Sequence, residues 1–143
     1  MQARFFPAAV VLCLWPLPAH TQPQAMIAVA TVKQLHEAII GPASDAVFQV
    51  GSRAPATEQE WQALRNSAAM LAEAGNLLMI GPRARDRGAW RRLSRGLADA
   101  GASALKAATA KDVEAVSRAG DQIIDVCENC HTPYRDGGRG MRR

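Results

Sequence analysis

Val116-Ser117-Arg118-Ala119-Gly120-Asp121-Gln122-Ile123-Ile124-Asp125-Val126-Cys127-Glu128-Asn129-Cys130-His131-Thr132-Pro133-Tyr134 decides how this chain folds. Val116, Ala119, Ile123, Cys127, Cys130 and Tyr134 recur at spacings of three and four, the period of an amphipathic helix. His131 stands four residues after Cys127, so both project from the same face. The residues that carry chemistry are in phase with the apolar stripe and point toward whatever covers it. Asp112 is the expected N-cap of this last helix.

Three more helices are expected upstream. The first begins near Ile27 and runs to Ile40, where Gly41-Pro42 interrupts it. Pro42 suits the first turn of a continuation over residues 43–50, with Ser44 or Asp45 as caps. Residues 51–55 read as a linker. Thr57-Glu58-Gln59-Glu60 is a capping box, a hydroxyl at the N-cap and a carboxylate three residues on. It opens a second helix with the stripe Trp61, Leu64, Ala68, Leu71, Gly75 and Leu78, and Gly81-Pro82 stops it. The third runs from about Asp86 to Ala108 with the stripe Trp90, Leu93, Leu97, Gly101 and Leu105. Its small residues Gly96, Ala98, Ala100 and Gly101 permit close approach of a neighbour. Four such helices with short connections predict an all-α fold, an antiparallel up-down-up-down four-helix bundle. No alternating strand pattern and no internal repeat competes with it.

The 143 residues suit one domain, 48% hydrophobic and only 5% aromatic, a composition that favours helix over sheet. Net charge is +4, but no basic run is interleaved with aromatics, so nucleic acid is not an expected partner. Residues 1–25 read as a signal peptide and leader: Arg4, then an apolar stretch from Phe5 to Pro18 too short and proline-rich to span a membrane. Leu12, before Cys13, is bulkier than a lipid-attachment motif accepts. The expected division is therefore leader 1–25, helical domain 26–135, and a flexible, glycine-rich basic tail 136–143. Export to the periplasm follows, with no membrane span left after the leader is removed.

Cys127-Glu128-Asn129-Cys130-His131 is a C-x-x-C-H motif, the attachment signature for c-type haem. Each thiol adds across one haem vinyl group to make a thioether, and the adjacent histidine meets the iron as an axial ligand. The competing readings are a disulfide or redox pair and a zinc site. A thioredoxin-like pair needs a βαβ context that is missing here. Zinc needs about four ligands, and the chain offers no second cysteine pair.

With the motif on the last helix of such a bundle, the chain resembles the class II c-type cytochromes, the cytochrome c-prime family and its low-spin six-coordinate relatives. The resemblance covers residues 27–135. It is carried by residues 127–135, where C-x-x-C-H is followed by Tyr134 and Arg135. Thr31-Val32-Lys33-Gln34-Leu35, Pro42-Ala43-Ser44-Asp45 and Gly75-Asn76-Leu77-Leu78-Met79 are similar to one periplasmic branch. The resemblance implies one covalent haem c on Cys127 and Cys130, with His131 as the proximal iron ligand and Arg135 beside the haem or a propionate. It also implies single-electron transfer with periplasmic redox partner proteins. Homodimers are common in that family, though no seam in this sequence is diagnostic.

The sixth iron position separates the functions. Relatives carry methionine or an apolar residue there; this chain has His36, on a face with Val32, Ile39 and Ile40. His36 is the candidate distal ligand and Met26, before the helix, its rival. Imidazole on both faces of the iron implies a low-spin electron carrier with a lower potential than a histidine–methionine relative. The alternative is a five-coordinate haem protein that binds a small gas, NO or CO. A non-haem alternative is a helical interaction module with a Cys127–Cys130 disulfide. An enzyme is not expected: Glu60, Glu73 and Asp99 lie on polar faces and form no acid–base pair. Arg83, Arg85, Arg87, Arg91 and Arg92 make a basic cluster, a solvated surface or a docking patch.

Overall fold

Residues 26–135 are described by the computed structural model of the protein, so the expected leader and tail lie outside the described residues. Every regular element among the described residues is helical: four helices and one short 3₁₀ turn. No helix there is long and apolar enough to cross a membrane.

The first helix, α1 (residues 32–51), starts five residues later than its apolar character suggests. Ile27 and Val29 are exposed, and the start is set by Thr31. Its hydroxyl accepts the Gln34 N–H at 3.2 Å and its own N–H donates to Gln34 Oε1 at 2.9 Å, a capping box. Gly41-Pro42 does not interrupt the helix. Val32–Leu35 is α-helical, His36–Ile40 is a π-turn, Gly41–Phe48 is α-helical again, and Gln49–Gly51 closes as a 3₁₀ turn. The cause is Pro42, which has no N–H to donate back and whose ring crowds the preceding turn. Widening that turn relieves the crowding, and the Gly41 N–H bonds to the His36 carbonyl five residues back. Ser44 and Asp45 are therefore mid-helix residues rather than caps.

Helix α2 (Glu58–Leu78) begins at the expected capping box, with Thr57 accepting the Glu60 N–H at 3.2 Å. Glu60 also takes the N–H groups of Ala56 and Thr57 and pairs with Arg53 at 2.6 Å. All six predicted stripe residues are buried. After the 3₁₀ turn Gly81–Arg83, Arg83 leaves the predicted basic cluster: it is buried, donating to the carbonyls of Ala30 at 2.7 Å and Leu77 at 3.2 Å. This strut ties the entry of α1 to the exit of α2.

Helix α3 (Ala89–Ala110) starts three residues after Asp86, whose carboxylate instead caps it by accepting the Gly88 and Trp90 N–H groups. Trp90, Leu97 and Gly101 are buried, Leu93 and Leu105 only partly, and Ala100, Ala104, Ala107 and Ala108 extend the core. A Cβ on Gly75 would stand 2.5 Å from the Ala98 nitrogen, and one on Gly101 would stand 2.5 Å from the Ala72 nitrogen. Helices α2 and α3 thus run antiparallel with backbones in contact. Helix α4 (Val113–Tyr134) is capped by Asp112, which accepts the Ala115 N–H at 2.9 Å.

Helix α4 packs against both α3 and α1. Gly96 faces Val126 and Trp90 meets Tyr134 edge-on, so α3 and α4 are antiparallel. Gly51 faces Ser117, Gly120 faces Val47 and Phe48, and His36 faces His131, so α1 and α4 are antiparallel too. Leu71, Ile123, Val47 and Val116 are the largest fully buried side chains, one or more from each of α1, α2 and α4. Burial of each is worth roughly 1.5–3 kcal/mol.

Candidate functional site

The antiparallel seam between α1 and α4 brings His36 to His131. Their ring centroids are 5.6 Å apart with the planes tilted by 43°. His36 is exposed and His131 half-buried. Burial lowers the His131 pKa from its ordinary value, helped by His36 and by the charge of Arg135, so its neutral, metal-binding form is favoured. Neither imidazole makes a hydrogen bond among the described residues. Arg135 is the exposed C-cap of α4, and Met26 lies exposed before α1 and lines neither cavity described below.

Cys127 and Cys130 are free, half-buried thiols packed against the core. Burial pushes both thiols up, and Cys127 pushes Cys130 further. A nucleophilic or redox-active cysteine needs the opposite shift.

A cavity of about 250 Å³ opens between α1 and α4, walled by Ile40, Phe48, Ile124 and Cys127 with both histidines. A smaller one of about 50 Å³ lies on the α3 side, walled by Leu78, Leu93, Leu97, Cys127 and Cys130, again with both histidines. The imidazole pair thus stands where two largely apolar spaces meet. Ser44 lines the larger cavity; it is 6% exposed, and its buried hydroxyl has no hydrogen-bond partner. An unpaired buried hydroxyl costs about 1–3 kcal/mol unless something in the cavity accepts from it.

The π-turn creates this alignment. In an unbroken α-helix, residues eight apart differ by about 80° around the axis. The extra residue in the wide turn makes His36 and Ser44 equivalent to positions seven apart, about 20° out of line. His36, Ile40, Ser44 and Phe48 therefore share one cavity wall.

Tyr134 holds the last turn of α4 in place. Its hydroxyl donates to Asp86 while its ring packs edge-on against Trp90, whose indole N–H bonds to the Leu78 carbonyl at 2.8 Å. The end of α4 is thereby anchored to the start of α3 and the end of α2.

These residues fit a particular kind of guest. Among the described residues no three histidines, cysteines or carboxylates gather to hold a bare metal ion. Two facing imidazoles suit a metal that arrives with its own equatorial ligands. At metal–nitrogen bonds of about 2.0–2.1 Å, imidazoles on opposite sides of one ion have centroids roughly 6 Å apart. The flanking apolar spaces suit a flat, largely apolar ring, and the two thiols suit covalent anchorage at its edge.

Sequence reasoning singled out both histidines and both cysteines. It missed Phe48 and Ile124 as cavity walls and took Ser44 for a helix cap. The available signal was Gly41-Pro42 five and six residues after His36, inside an otherwise uninterrupted helical pattern. No protein-family model, curated protein or solved structure matches this chain.

Proposed function

We propose that this protein is an exported class II c-type cytochrome, a one-haem periplasmic electron carrier. The observation that carries the reading is the His36–His131 pair, 5.6 Å apart beside two unbridged thiols on α4. Cys127 and Cys130 would hold the haem by thioethers, His131 would be the proximal ligand and His36 the distal one. The antiparallel α2–α3, α3–α4 and α1–α4 pairs support an up-down-up-down bundle with the haem on its last helix. The haem supplies a ferric–ferrous couple that stores one electron. Around it, Ile40, Phe48, Leu93 and Leu97 exclude water, and the Tyr134–Asp86 bond fixes the turn that carries His131. Two imidazoles imply low-spin iron and a potential below that of a histidine–thioether pair. Little ligand rearrangement then accompanies the redox change.

One observation favours a second reading, a five-coordinate protein for NO or CO. A metal-bound histidine ordinarily donates its second N–H to a fixed acceptor. His36 has no such partner among the described residues and is exposed, so it is free to turn aside. The non-haem reading, a helical interaction module, would need Cys127 and Cys130 joined in a disulfide.

A pyridine haemochrome assay, followed by optical and EPR spectra of the ferric wild type and His36→Met, tests the proposal. The expected result is a c-type haem with low-spin bis-imidazole signals that change on substitution. A high-spin wild type unchanged by His36→Met removes His36 from the iron and favours gas binding. No haemochrome absorbance ends the haem reading.

A further inference from the structure

The site end of the molecule carries surfaces of opposite sign. Asp45 and Glu128 stand at the mouth of the larger cavity, and Asp121 and Asp125 are exposed along α4. On the α3 side, Arg85, Arg87, Arg91, Arg92 and Arg95 are all exposed. None of the five enters an ion pair among the described residues, where the pairs are Lys33–Glu37, Arg53–Glu60, Arg65–Glu58, Lys111–Glu58 and Arg118–Glu114. Asp86 is the sole acidic residue between positions 83 and 98. It is engaged by Tyr134 and by the N–H groups of Gly88 and Trp90.

The same turns of α3 look both ways. Leu93, Ser94 and Leu97 line the smaller cavity, while Arg91, Arg92 and Arg95 point out. Arg92 lies one turn before Gly96 on the same face, and Gly96 meets Val126 of α4. With Trp90 against Tyr134, this register sets Arg92 level with residues 130–132. The arginines therefore border the turn that carries Cys130 and His131.

We infer that this arginine patch is the docking surface for an acidic protein partner, an inference that rests on the electron-carrier reading for its purpose. Guanidinium groups are weakly hydrated and match carboxylates in a two-pronged geometry. Without ion-pair partners among the described residues, they steer an anionic surface toward themselves. The carboxylates at the other mouth repel that same surface, so approach is one-sided. A protein fits better than a lipid surface, because a basic helix that lies in a membrane interface carries large apolar residues on its other face. None of the exposed large apolar residues, Met26, Ile27, Val29, Phe48, Met70 and Ile124, falls within residues 84–98.

The test uses reduced protein whose haem content is first established by pyridine haemochrome. Ferricyanide takes one electron from ferrous iron and leaves as ferrocyanide; its rate is followed against salt and against added oligoaspartate. The patch variant is Arg91→Gln/Arg92→Gln/Arg95→Gln. The control, Arg53→Gln/Lys106→Gln/Arg118→Gln, removes equal charge at the other end. Wild type and control should lose about tenfold in rate between low and high salt, and the patch variant should stay within about twofold. Oligoaspartate should slow only the first two, and calorimetry should show it binding only those two. Calorimetry needs no haem, so a missing cofactor is told apart from a missing patch. Equal losses in both variants overturn the inference. So does wild type that sediments with phosphatidylglycerol vesicles but ignores oligoaspartate.

Discussion

The α2–α3 seam and the α1–α4 seam are made from the same kind of helix and do opposite things. Between α2 and α3, glycine and alanine bring the backbones so close that Gly75 and Gly101 have no room for one methyl group. Between α1 and α4, Gly120 would place a Cβ at an ordinary 3.6 Å from Phe48, and further along the seam opens into about 250 Å³. One seam is closed. The other leaves a cavity lined by His36, Phe48, Ile124 and His131. Small residues make scaffold, and large residues that fail to meet make a site.

The largest expected effect comes from making the same change in each seam. Gly101→Ala drives a methyl into the α2 backbone and should cost roughly 3 kcal/mol in chemical denaturation. Gly120→Ala meets only ordinary contact and should gain up to about 1 kcal/mol from helix propensity. Equal outcomes would mean that the seams do not differ in tightness.

Ser44→Ala sharpens the contrast from the open side. Removing an unpartnered buried hydroxyl should stabilise the cofactor-free chain by about 1 kcal/mol. If a bound haem brings an acceptor to the hydroxyl, the gain should shrink or reverse in haem-loaded protein. Equal gains in both forms, read from paired melting curves, would show that nothing in the cavity uses it.

The smallest effect concerns the latch between the two seams, and it depends on pH. The Tyr134 hydroxyl, followed by the N–H groups of α3, holds the Asp86 carboxyl below its usual range. That contribution is present above an ordinary aspartate pKa of about 3.9 and is lost as pH falls through the folded value. Asp86 in turn pushes the Tyr134 phenol up. That contribution is complete below about 10 and is lost as pH rises through the folded value. Tyr134→Phe should therefore lower the melting temperature most near neutral pH, and the gap should close in acid and in alkali. No gap at any pH would show that the ring alone, through Trp90, provides the anchor; a gap unchanged at pH 2 would show that the hydroxyl acts without the Asp86 charge.

The closed seam was largely legible in the sequence. The stripe from Trp61 to Leu78 and the capping box at Thr57 are local signals, and local physics places them. In the open seam, the face carrying Cys127, Cys130 and His131 was legible for the same reason, and so was His36 on the apolar face of the first helix. The rest was not. Nothing in helical periodicity says that Pro42 will be absorbed in a wide turn rather than end the helix. Ser44 and Asp45 were therefore read as caps of a new helix rather than as residues in the middle of one. Arg83 reads as one more surface cation until its two backbone carbonyl partners, fifty-three and six residues away, are known.

The surplus residue in α1 works as a vernier. Without the π-turn, the half of the helix that carries His36 and the half that carries Ser44 and Phe48 would be locked at the fixed angle of an α-helix, about 100° per residue. With it, each half is aimed independently: one imidazole at the partner imidazole on α4, one hydroxyl and one phenyl at the cavity below. The proline that would ordinarily end such a helix is what sets the dial.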